Sequence, residues 1–213
     1  IALEVFERLA IEYPHLRFNV AGDFRTDYLS SSSDVKTKFF KKWEDLITKF
    51  PGRFIYHGVV VGEQKRDLFL KNDILLFPTF FKTESFGLVL IEAMRSGNIV
   101  VASDFNNISE LVTEERGRLF PPKDINGAFL AIEHFINDIN KMREVQKNNI
   151  IFSQTIYSQE KYENDISFIF ENVFGNASAM NGNPNTNGLN IFSDIIINSL
   201  SFFVGLIANS NTV

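Results

Sequence analysis

The chain has 213 residues, 45% of them hydrophobic and 22% charged, with a formal net charge of -5. This supports one large domain, or one domain with a tail, and excludes a wholly disordered protein. The acidic balance lacks the basic footprint of a nucleic-acid binder, and zero cysteines exclude a disulfide scaffold, a thiol nucleophile and a cysteine zinc site, as suits a cytoplasmic protein.

The sequence opens without Met, directly on a helical pattern, which reads as a piece of a longer chain. Leu3, Phe6, Leu9 and Ala10 share one helical face over 1–13, and Pro14 stops that helix. An apolar run at 16–21 ends at Gly22 and predicts a buried strand. A serine cluster then leads to Asp34, placed to cap a helix from Val35 to about Phe50. Further strands are predicted at 54–57, 73–78, 99–103 and 118–120, and helices at 62–71, 86–96, 108–112 and across most of 125–174. Gly97 suits the left-handed position after the helix at 86–96. Strands alternating with helices at this spacing imply a Rossmann-like α/β domain, with a parallel sheet covered by helices on both faces.

The composition shifts at about residue 174. Residues 175–190 form an Asn- and Gly-rich linker, and 191–213 form an apolar tail interrupted by Asp194, Asn198 and Ser199. Its uninterrupted part is too short to span a bilayer, and a docking or interfacial helix is expected over 191–208.

In an open parallel sheet, ligands bind outside the carboxyl ends of the strands. There the stretch from Thr83 to Met94 carries the most information. Ser85 suits the N-cap of a helix starting at Phe86, and Gly87 would bare the backbone of its first turn. The amides of Phe86, Gly87 and Leu88 would then form an anion site suited to a diphosphate. A carboxylate beside such a site fits sugar hydroxyls better than phosphate; Glu84 and Glu92 bracket it as a nucleotide-sugar would require. On this reading Gly87→Val blocks the diphosphate and leaves the fold largely intact.

Glu84 and Glu92, with Phe86-Gly87-Leu88 between them and Ala93-Met94 after them, resemble the E-x7-E motif of retaining GT-B glycosyltransferases of family 4 (group 1). The similarity continues in Ser96-Gly97-Asn98-Ile99-Val100-Val101-Ala102-Ser103, in Glu110-Leu111-Val112 and in Gly117-Arg118-Leu119-Phe120-Pro121-Pro122-Lys123-Asp124, and covers about 1–174. The chain departs from the family at Asn106-Asn107, which replace a Gly-Gly pair, and at Phe24, which replaces the second Gly of G-x-G.

The resemblance implies the C-terminal donor-binding domain of a GT-B enzyme of hexosyltransferase type, which transfers a sugar from a nucleotide-diphospho-sugar with retention. Glu84 would be the catalytic residue at the donor sugar. Ser85, Phe86, Gly87, Leu88 and Asn107 would meet the sugar and diphosphate, Glu92 the ribose, and Gly58 and Val59 the base. No cofactor and no metal are expected. The acceptor site would belong to an N-terminal Rossmann domain or partner chain, without which this chain would be inactive. The expected location is cytoplasmic, with room for peripheral membrane contact. The alternative is a non-catalytic nucleotide-sugar-binding module or a subunit of a split glycosyltransferase. His57 reads as structural, and Lys36, Lys38, Lys41 and Lys42 as a solvated basic face.

Overall fold

The computed structural model describes residues 1–23, 32–80, 87–174 and 204–209. The elements in chain order are α1 (Ala2–Glu12), β1 (Leu16–Ala21), α2 (Ser32–Lys49), β2 (Phe54–Gly58), α3 (Gly62–Leu70), β3 (Ile74–Phe77) and α4 (Leu88–Arg95). They continue with β4 (Ile99–Ser103), α5 (Ile108–Leu111), β5 (Gly117–Phe120), α6 (Ile125–Ile136), α7 (Ile139–Ile156), α8 (Gln159–Phe174) and β6 (Val204–Asn209). Asp124 and Asp138 start α6 and α7 by accepting hydrogen bonds from the amides of Gly127 and Lys141, both at 2.9 Å. Asp34, expected to cap α2, lies instead in its first turn, where its charge favours the helix dipole.

The six strands of the described residues form one sheet in the order β2-β1-β6-β3-β4-β5. Alternation along each strand sends side chains to opposite faces. Ile74, Leu76, Ile99 and Val101 pack with α1, α2 and α6 through Phe6, Leu9, Trp43, Leu46, Phe129 and Ile132. Leu75, Phe77, Val100 and Ala102 pack on the other side with α3, α4 and α5 through Leu68, Phe69, Leu90, Met94 and Ile108. The expected α/β architecture, covered on both faces, is therefore present. At Gly117 a Cβ would come within 1.9 Å of the Val100 carbonyl oxygen, so β5 can pair with β4 only through glycine.

The helix expected over 191–208 is corrected by β6. Within the described residues this stretch is a strand, antiparallel to both β1 and β3 and seated between them in an otherwise parallel sheet. The apolar run of Val204, Leu206 and Ile207 is long enough for a buried strand, and periodicity alone does not separate that from a short helix. Residues 204–209 of the tail thus belong to the sheet of the domain they follow.

Ile207 is 1% exposed and opposes Phe18 on one side and Ile74 on the other. Ile207→Ala should lower stability by about 2–5 kcal/mol, read as a shift of the urea midpoint. An unchanged midpoint would show that β6 adds nothing to the sheet.

Candidate functional site

The carboxyl ends of the parallel strands are joined by specific contacts. The Ser103 hydroxyl, at the end of β4, donates to the Thr79 carbonyl beyond β3. The Gly22 amide beyond β1 donates to the Gly58 carbonyl at 2.8 Å, and the Tyr56 hydroxyl to the Gly22 carbonyl at 3.1 Å. Gly58 has φ 64, a left-handed turn that glycine adopts without penalty. It is followed by exposed Val59, and Val61 and Phe80 are exposed as well. The Lys123 ammonium stands 5.1 Å from the centre of the Phe80 ring.

Gly87 corrects the expected start of the helix. Its φ of 65 places it outside α4, where it serves as the N-cap, so the helix begins at Leu88 rather than Phe86. Ser85 therefore does not hold that position. A Cβ on Gly87 would lie 3.1 Å from both Cγ and Cδ1 of Leu90, in a backbone region that L-residues rarely adopt. Gly87→Val consequently strains the fold as well as the approach to α4. Glu84, Ser85 and Phe86 lie outside the described residues.

Glu92 projects from the middle of α4 and forms an ion pair with Lys65 of α3, with Nζ 2.5 Å from Oε1. Lys65 is the only charged residue in the buried set among the described residues. Its position was readable: Lys65 precedes Leu68 by three and Phe69 by four, which puts it on the apolar face of α3. A lysine on that face signals a buried partner, and Glu92 is one. Glu92 Oε2 is buried with no hydrogen-bond partner.

Asn106 has φ 50, the left-handed conformation that the replaced glycine would favour and that Asn tolerates. Asn107 is exposed at the N-cap of α5, without a side-chain cap bond. Gly58 ends β2, and Val59, Gly87 and Asn107 follow β2, β3 and β4 at the carboxyl end of the sheet, with Glu92 one turn into the helix after Gly87. His57 Nε2 is 2.8 Å from Asn19 Oδ1, and the Asn19 amide donates to Asn72 Oδ1 at 2.9 Å, so His57 belongs to a structural network. Burial also lowers the His57 pKa. Among the described residues no three acidic or histidine side chains gather as a metal site, and no helix is long and apolar enough to cross a membrane.

Burial pushes the Glu92 carboxyl above its ordinary range, and the Lys65 ammonium opposes that shift. A carboxyl raised on folding costs stability as pH rises through its unfolded value. Lys65→Met removes the opposing charge, so this cost should grow. We expect a deficit of about 3–5 kcal/mol at neutral pH that shrinks toward acidic pH, measured by urea unfolding. A deficit independent of pH would contradict the ion pair.

Residues 1–151 match the family described as glycosyl transferases group 1. The lipopolysaccharide core biosynthesis mannosyltransferase LpsB of Rhizobium meliloti is 29% identical over 159 residues, covering 72% of this chain and 42% of that protein. Among solved structures, the C-terminal domain of the group 1 glycosyl transferase LpcC from Francisella tularensis superposes with a TM-score of 0.61 at 21% identity, covering 74% of this chain and 77% of that one. Anabaena Alr3699/HepE, solved with UDP, gives a TM-score of 0.52 at 21% identity, over 63% of this chain and 38% of that one. The chain spans less than half the length of the first curated relatives it matches. The sheet with its two helical layers is the Rossmann-like fold of these GT-B proteins, and by the match over 1–151 the chain belongs to the group 1 glycosyl transferases.

Proposed function

We propose that this chain is the donor-binding half of a retaining GT-B glycosyltransferase of hexosyltransferase type and binds a nucleotide-diphospho-sugar. The observation that carries this reading is the pairing of one buried carboxylate with one helix start. Glu92 has an unsatisfied buried oxygen, and it stands one turn beyond the N-terminus of α4, at the carboxyl edge of the sheet. The first amides of a helix have no partners within it and favour an anion. The diphosphate would sit there, at Gly87 and Leu88, with Asn107 beside it, while Glu92 takes the ribose. Val59 offers an exposed apolar surface next to left-handed Gly58, as stacking of a base requires.

In the transfer, the helix start stabilises the charge that grows on the departing diphosphate, and Glu84 orients the donor sugar. No metal is assigned to this chemistry. UDP in the Anabaena structure supports a nucleotide diphosphate as the ligand class. The acceptor site is assigned to a further Rossmann domain or partner chain.

Isothermal titration with UDP-, GDP- and ADP-glucose tests this reading. One of them should bind, and Glu92→Gln, which keeps the side-chain shape, should weaken it about 10–100-fold, the worth of a hydrogen bond to a charged group. No binding by the folded chain to any of the three would refute the donor site.

A further inference from the structure

A buried ion pair is a poor way to gain stability, because desolvating both charges consumes most of their attraction. An apolar residue at position 65 would continue the face formed by Leu68 and Phe69 at no such cost. Lys65 is nevertheless buried there, 6% exposed, with its ammonium against Glu92.

The pair has an asymmetry that a purely structural bridge does not need. Lys65 holds Oε1, while Oε2 is left without a hydrogen-bond partner. A buried acceptor without a partner is costly, and a donor that arrives with a ligand removes that cost. The Glu92 side chain keeps 15% of its surface open, while Oε2 itself is buried, so a ligand hydroxyl that reaches it meets an acceptor already stripped of water. The terminal torsion of a glutamate is soft, and an untethered carboxylate turns freely about it. The contact at Oε1 fixes that torsion.

We propose that Lys65 is a positioning residue for the nucleotide: by tethering Oε1 of Glu92 it presents Oε2 to a ribose hydroxyl, and so sets how strongly the site prefers ribonucleotides. This rests on the donor-site reading and adds to it a residue outside the E-x7-E segment. In this role Lys65 acts through Glu92. Without it, Glu92 keeps its place on α4 but loses its orientation, so the preference for the ribose diol falls while the diphosphate contacts at α4 persist.

The test uses UDP, GDP and ADP, each beside its 2′,3′-dideoxy counterpart, titrated into the folded chain and into Lys65→Met and Lys65→Arg. For the nucleotide that binds, the wild type should favour the ribose form by about 10–100-fold. Lys65→Met should reduce that ratio to a few-fold with a small change in dideoxynucleotide affinity, and Lys65→Arg should restore most of it. Where Lys65→Met fails to fold, Lys65→Gln replaces it and should lower the ratio in the same direction. A folded Met or Gln variant with the wild-type ratio overturns the proposal alone. A wild type that binds a nucleotide without preferring the ribose form overturns both the proposal and the role of Glu92. A folded wild type that binds none overturns the donor site itself.

Discussion

The fold depends on satisfying buried backbone groups where its helices hand the chain to its strands. Such groups must find partners, since burying them bare costs as much as losing a hydrogen bond. Three asparagines do this work. Asn72 closes α3 by donating to the Leu68 carbonyl at 2.6 Å, Asn98 donates to the carbonyls of Phe69 and Asn72, and Asn149 of α7 donates to those of Asn98 and Arg116 at 2.8 Å. Asn19 of β1 joins the set through Asn72. This chain of amides locks the entry to β3 against the entry to β4, and with them the angle between α3 and α4. The meeting of Lys65 with Glu92 follows from it.

Charge is distributed around this frame by a simple division. On the outer helices it joins elements that are already packed. Glu7 of α1 receives both Lys42 and Lys49 of α2, and Lys42 is thereby drawn out of the solvated basic face. These two lysines hold the Glu7 carboxyl below its ordinary range. Arg53 donates to the carbonyls of Ala10, Tyr13 and Leu16 at 2.7–2.8 Å, and so closes the connection between α1 and β1. Among the described residues only Lys65 and Glu92 carry an ion pair into the interior, and there one oxygen is left without a hydrogen-bond partner.

Much of this was legible in the sequence. The strand at 16–21 and the strand at 99–103 fall where the apolar runs end in Gly22 and Ser103, because a fully buried strand shows itself as a short hydrophobic run between breakers. Gly97 takes the left-handed conformation expected after α4, with φ 83. What escaped depended on contacts distant in sequence. The start of α4 moved by two residues because Gly87 adopts a backbone that no residue-type pattern reveals without its neighbours Leu90 and Phe77. The asparagine network joins residues 19, 72, 98 and 149, whose types separately suggest only turns. The strand β6 was hidden because Asp194 and Asn198 broke its surroundings, and its partners lie far back in the chain.

That last feature governs the order in which the molecule can form. The pairs Ala21–Val204 and Ile74–Ile207 join segments far apart in sequence, and β6 stands between β1 and β3. Synthesis proceeds from the N-terminus, so β2-β1 and β3-β4-β5 emerge as two small sheets, each with an unpaired edge, well before the strand that unites them. Pairing across such a separation is slow, and open edges in the meantime invite pairing with other chains. The centre of this sheet is thus built after its flanks, and the domain depends on β6 to close the edges that β1 and β3 leave exposed.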